Sequence, residues 1–231
     1  MASDILPDEA KKQIYQDGFF MLGDPKVGSS IEEMKAKQKS FDFSGEAGFE
    51  FCRDHVLLNS SVQSIISALE SDTNLRYVLA YRGSLPPDAG HICTLRNGGE
   101  DLGILIVQVW PKGSSAIFYS GSHMVPLQRA RAANRIWEVA PKQLKDSGCK
   151  AENFQDSFRD TGGIVVFDAR ISFERQKERS YFYTYVATPL LERWRKAGQT
   201  NTWGLRPPPS QDPQYVETLG VYMRQEDLQQ E

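Results

Sequence analysis

Cysteine is scarce and scattered in this chain. There are three, Cys52, Cys93 and Cys149, with no Cys-x-x-Cys pair among them. That spacing excludes a thiolate zinc site and supplies no disulfide framework, so reduced thiols in a cytosolic protein are the expectation. Long apolar runs are missing as well: nothing approaches the roughly 18 consecutive apolar residues of a membrane span. The opening MASDILPDEAKKQ carries acids early and no apolar core, so no secretory signal is expected there. Neither sign of charge is in excess: 27 Lys and Arg stand against 30 Asp and Glu, for a net charge of −3. With no basic stripe, sequence-independent nucleic-acid binding is excluded. No internal repeat is present. The expected location is cytoplasmic.

What is there is an ordinary globular composition. In 231 residues, 40% are hydrophobic and 25% charged, enough for one domain with a sizeable core. Apolar spacing predicts helices in PDEAKKQIYQD, in SIEEMKAKQKSF, in SSVQSIISALES (capped by Asn59 or Ser60), in PKQLKD and in TPLLERWRKAG, with Thr188 as its cap and Pro189 at its first helical position. Short β-branched and aromatic runs predict strands: FFML, LRYVLAYRG, LGILIVQVWP, SSAIFYSGSH, RIWEVAP, GGIVVFDAR and RSYFYTYVAT. LRPPPSQDPQ reads as an extended surface segment. Residues 24–50 are turn-rich and hold one polar stretch that reads as a surface helix or a mobile flap, in a position where a lid is worth testing. Helices first and many short strands after predict a mainly β jelly-roll barrel with flanking N-terminal helices. The expected division is a single domain 1–231, with a helical part over about 1–75, the barrel core over about 76–187, and a C-terminal helix and tail over about 188–231.

Four stretches, in this order, resemble one enzyme family: a helix leading into QDGFFML, then GHICTL, then VQVWP with FYSGSHMVPL, and last GGIVVFDARISF. The resemblance is to the phytanoyl-CoA dioxygenase-like branch of the iron(II)/2-oxoglutarate oxygenases. It implies a double-stranded β-helix, a form of jelly roll. It also implies a His-x-Asp/Glu pair and a distant histidine around iron, a donor set suited to that metal. On this chain those positions fall at His91, Cys93 and Phe173. One of three ligands is kept, so no metal site is expected. His55, His123, Asp88 and Asp168 are the other residues able to ligate, and Asp168 reads as sharing a strand or its end with Phe173. A 2-oxoglutarate clamp would fall on Arg175, Lys177 or Arg179, of which Arg179 is the best placed, and a solvated turn is the simpler account of all three.

A barrel without its iron keeps its cavity. Tyr181, Tyr183 and Tyr185 alternate with Phe182, Thr184 and Val186, so one of these two faces points inward. With Tyr77, Tyr81, Trp110, Phe118 and Phe173 they could form an aromatic pocket; ordinary core packing claims some of them. The candidate catalytic residues are His91, Tyr81 and Arg170, with Arg82 and Ser120 as further polar contacts; the candidate substrate-binding residues are Phe173, Cys93, Tyr77, Trp110, Phe118, Tyr183, Tyr185 and Arg179. The first expectation is a cofactor-free, redox-neutral cyclase, pericyclase or isomerase acting on a hydrophobic terpenoid or polyketide intermediate. The second is a non-catalytic binding protein, or a partner of an active homologue, as a homodimer or heterodimer. The third is an oxygenase that uses iron(II) and 2-oxoglutarate through atypical ligands.

Overall fold

The computed structural model describes residues 7–99, 101–132, 136–154, 158–198 and 203–223. Five helical elements come early: α1 (Pro7–Asp17), α2 (Pro25–Ala36), α3 (Glu46–Cys52), a π-helical turn (Arg53–Leu57) and α4 (Ser60–Thr73). Strand β1 (Phe19–Gly23) interrupts them. Then follow β2 (Tyr77–Leu85), β3 (Ile92–Thr94), β4 (Ile104–Trp110), β5 (Ser115–Ser120), β6 (Arg129–Arg131) and β7 (Trp137–Val139). After α5 (Pro141–Asp146) come β8 (Lys150–Asn153), β9 (Gly163–Asp168), β10 (Ser172–Lys177) and β11 (Ser180–Ala187). Helices α6 (Thr188–Lys196) and α7 (Pro213–Thr218) close the described chain.

The strands form two antiparallel sheets, β1-β9-β4-β11-β2 and β6-β7-β3-β10-β5-β8. Sheet one is covered on both faces, by helices outside and by the second sheet inside. Hence every residue of β4, β9 and β11 is buried. Between the sheets, Phe167 of β9 packs 5.5 Å from Phe173 and 5.6 Å from Phe118, which belong to the second sheet. Burying such side chains is the main favourable term in holding the layers together.

Helix starts follow the sequence signals in part. Asp24 caps α2 by accepting from Lys26 N at 2.9 Å, with Pro25 in the first turn. Asn59 caps α4 by accepting from Val62 N at 3.1 Å. Helix α6 differs from expectation: Ala187 is its cap, with no side-chain bond, and Thr188 is already helical. Pro207 and Pro208 are buried, so LRPPPSQDPQ is docked instead of lying free on the surface.

Within the segment 24–50, Asp42, Phe43 and Ser44 lie beside Tyr81 and Arg82 of β2. Helix α2 packs against β4 and β9. It approaches so closely that a Cβ on Gly28 would sit 2.0 Å from Thr161 O. Only glycine permits that contact. Beyond it, Phe41 stacks 3.8 Å from the ring of Tyr181. Apolar anchors at Val27, Ile31 and Met34 pin the segment to the outer face of the first sheet, as an amphipathic helix requires.

Candidate functional site

A chamber of about 390 Å³ opens between the sheets. Ile104 and Ile106 of β4, Phe182 and Thr184 of β11, and Tyr81, Gly83, Ser84 and Leu85 of β2 form one side; Leu95, Ile136, Ala169 and Trp203 complete it. The size suits a small ligand, and the lining is mostly aliphatic and aromatic with three hydroxyls, on Tyr81, Ser84 and Thr184. Tyr81 is 36% exposed and stands at the opening, its ring 5.9 Å from that of Trp203 and 6.1 Å from that of Phe182. Trp203 stacks in turn on Trp194 of α6 at 4.7 Å. The tip of the Phe182 ring lies over Gly83, where a Cβ would meet it at 2.4 Å.

Beside the chamber lies a smaller polar vestibule of about 240 Å³. Asp88, His91, Cys93, Glu138 and Arg175 line it, and Leu85 and Ile136 are walls of both spaces. The turn Asp88–His91 is strapped to β10: Asp88 N donates to Arg175 O at 2.7 Å and Gly90 N to Glu174 Oε1 at 3.0 Å. The Asp88 carboxylate serves two partners. Its Oδ1 lies 2.7 Å from His91 Nδ1, and its Oδ2 accepts from Arg175 Nη2 at 3.0 Å. The hydrogen bond to Asp88 holds His91 above the usual histidine range, and its charge and that of Glu138 act in the same direction. Burial pushes the Cys93 thiol up to about 11, against the opposing pull of Arg175.

The positions that the family resemblance assigns to a metal triad are brought together, but their groups do not fit one. Phe173 is the cross-strand partner of Cys93. It is fully buried, stacks on Phe118 at 5.5 Å, and has no lone pair to offer. Cys93 offers a soft sulfur where the triad needs a hard carboxylate oxygen. The His91 side chain is 62% exposed and turned to Asp88. The other candidate ligands are engaged or remote. His123 Nε2 lies 3.0 Å from Tyr15 O, and His55 packs on Phe51 with ring centroids 4.8 Å apart. Asp168 is paired with Arg170 at 2.6 Å. Among the described residues no group of three or more His, Cys, Asp or Glu is arranged to hold a metal. Asp168 and Phe173 do not share a strand: a turn at Asp168–Ile171, closed by Ile171 N donating to Asp168 O at 2.9 Å, sends β9 and β10 into different sheets.

Several other sequence candidates fall outside both spaces. Tyr183 and Tyr185 face the helical layer, beside Cys52 of α3, because Phe182 and Thr184 take the inward phase of β11. Tyr77 is buried and donates through its hydroxyl to Leu102 O. Trp110 is buried and stacks on Phe158 at 5.7 Å, while Phe118 and Phe173 belong to the inter-sheet packing. Arg170 binds Asp168 through Nε at 3.0 Å and Gly99 O through Nη1 at 2.6 Å, which ties the β9–β10 turn to a neighbouring loop. Ser120 donates to Asp17 Oδ1 at 2.9 Å, and Arg82 Nη1 to Phe41 O at 2.9 Å. Arg179 is exposed and donates to Ser84 Oγ at 3.1 Å. Of the three basic residues weighed as a clamp, it is Arg175 that turns inward, 2% exposed. Its place two residues after Phe173 on one strand was the signal available in the sequence.

No protein-family model matches the sequence, and no curated protein matches it. Solved structures do. The non-heme alpha ketoglutarate dependent epimerase SnoN from nogalamycin biosynthesis aligns with a TM-score of 0.50 at 12% identity, over 78% of this chain and 82% of that one. AviO1 from Streptomyces viridochromogenes Tue57 aligns at 0.48 and 9% identity, over 80% and 96%. EctD from S. alaskensis, solved with 2-oxoglutarate and 5-hydroxyectoine, aligns at 0.48 and 12%, over 81% and 79%. At such identities the likeness is one of fold, and the chain is a double-stranded β-helix.

Proposed function

We propose that this chain is a metal-independent, redox-neutral enzyme, a cyclase, a pericyclase of Diels–Alder type or an isomerase, acting on a terpenoid or polyketide intermediate held in the chamber. The observation that carries this reading is the pairing of Phe173 with Cys93 beside an intact apolar chamber. The residues at the triad positions cannot supply a ligand set, while the space for an organic molecule is kept. A chamber of this kind works by holding a flexible molecule in a reactive conformation, which lowers the entropic part of a barrier. Tyr81 and Thr184 would fix the orientation by hydrogen bonds. The epimerase SnoN, from nogalamycin biosynthesis, supports only the natural-product and isomerase parts of the reading, since that protein is itself alpha ketoglutarate dependent.

The test begins with iron(II) and 2-oxoglutarate titrations of purified protein, followed by metal analysis. The expected result is no stoichiometric iron and no tight 2-oxoglutarate binding; finding both would sink the proposal. Polyene and terpenoid intermediates are then incubated with the protein in EDTA. Turnover that survives the chelator supports catalysis. Binding in the chamber without turnover replaces the enzyme with a binding protein.

A further inference from the structure

The chamber and the vestibule share Leu85 and Ile136 as walls. On the vestibule side the fixed donor is Arg175. Its Nη1 donates to Pro86 O at 2.8 Å and its Nη2 to Asp88 Oδ2 at 3.0 Å. Its Nε is buried and has no acceptor among the described residues. A guanidinium carries five N–H donors, and leaving one buried and unpaired is unfavourable. Each Nη also carries a second N–H beyond the one already bonded, and Arg175 lines the vestibule, so a ligand oxygen there meets a charged donor.

Charge narrows the kind of oxygen. Asp88 is shared between Arg175 and His91, and Glu138 adds a second carboxylate to the same walls, so the cations there already have their counter-charges. An incoming carboxylate would meet like charge from both. A neutral carbonyl oxygen takes the guanidinium donor without that repulsion. Among the described residues the chamber lining carries no charged side chain, which suits the carbon skeleton.

We infer that chamber and vestibule form one bipartite site for apolar ketones, lactones or enones, in which Arg175 donates to the carbonyl oxygen while the skeleton fills the chamber. This rests on the reading of the chamber given above. It adds a substrate class and a role: a guanidinium on the carbonyl stabilises the negative charge that builds up there when a conjugated alkene is polarised. Asp88 is then a positioning residue, which holds the guanidinium in place.

The probes are trans-2-decalone, its parent hydrocarbon decalin, and decalin-2-carboxylate, titrated into the whole protein and followed by tryptophan fluorescence, since Trp203 lines the chamber. The ketone should bind on the order of 10-fold tighter than decalin, as expected for a hydrogen bond from a charged donor. Arg175→Met should remove that difference. With carbonyl-labelled decalone, the bound carbon-13 signal should move downfield, a readout that needs no variant if Arg175→Met does not fold. Decalin binding as tightly as the ketone, no downfield shift, or the carboxylate binding tightest would each overturn the inference and leave the chamber reading standing. If no probe binds, both fall together.

Discussion

Phe173 and Cys93 face each other across the β10–β3 ladder, and the Phe173 ring is held there between Phe118 and Phe167. The pair therefore closes one part of the barrel by packing and leaves the chamber to other strands. Cys93 reaches the vestibule wall, whereas Phe173 lines neither space.

Phe173→Ala should cost about 3–5 kcal/mol, because the ring is fully buried and its neighbours come from both sheets. Chemical denaturation measures this. A loss under about 1 kcal/mol would mean that the site collapses easily and that the aromatic packing is not what holds the sheets there.

His91 should titrate above an ordinary histidine. The groups facing it are Asp88, Glu138 and Arg175, and the first two outweigh the third. A raised value contributes to stability below the unfolded pKa and is lost as pH rises through the folded one. Following the ring proton by NMR should show the midpoint fall on Asp88→Asn. An unchanged midpoint would separate His91 from Asp88 in solution.

His55 and His123 should act in the opposite sense. Burial lowers both, although nearby charges and the Tyr15 carbonyl pull them partly back. A lowered folded pKa gives stability above the unfolded value, near 6.5, and that stability is lost as pH falls toward the folded one. Stability measured from pH 7 downward should therefore begin to fall through the histidine range. Replacing both residues with Gln should flatten that part of the curve.

Much of the architecture was legible in the sequence, and particular residues show why the rest was not. The alternation along SYFYTYVA marks a strand, yet every residue of it is buried. With helices on one face and a sheet on the other, no polar phase tells which face lines the cavity. The break between β9 and β10 carries neither Gly nor Pro. Asp168 makes it with its own side chain, accepting from Arg170 N at 2.8 Å. Arg175 reads as part of a solvated turn because its acceptors, Pro86 O and Asp88, lie almost ninety positions earlier in the chain. His91 and Cys93 enter as candidates by motif and Tyr81 by its aromatic strand; the first two lie on the vestibule wall and Tyr81 on the chamber wall.

Gly83 offers a way to change the chamber from beneath. A Cβ there would meet the Phe182 ring at 2.4 Å, closer than two carbons can approach. Phe182 is 8% exposed and one of the chamber walls, so the ring has to move, and the open direction is the chamber itself. Gly83→Ala should thus cost about 1–3 kcal/mol in stability, the range for an overpacked site. It should also weaken decalin binding on the order of 10-fold, since a displaced ring takes up space the ligand needs. Denaturation and the fluorescence titration read the two effects separately. A stability loss with unchanged affinity would place the ring movement away from the chamber, and Phe182 would then no longer count as a wall of the binding site.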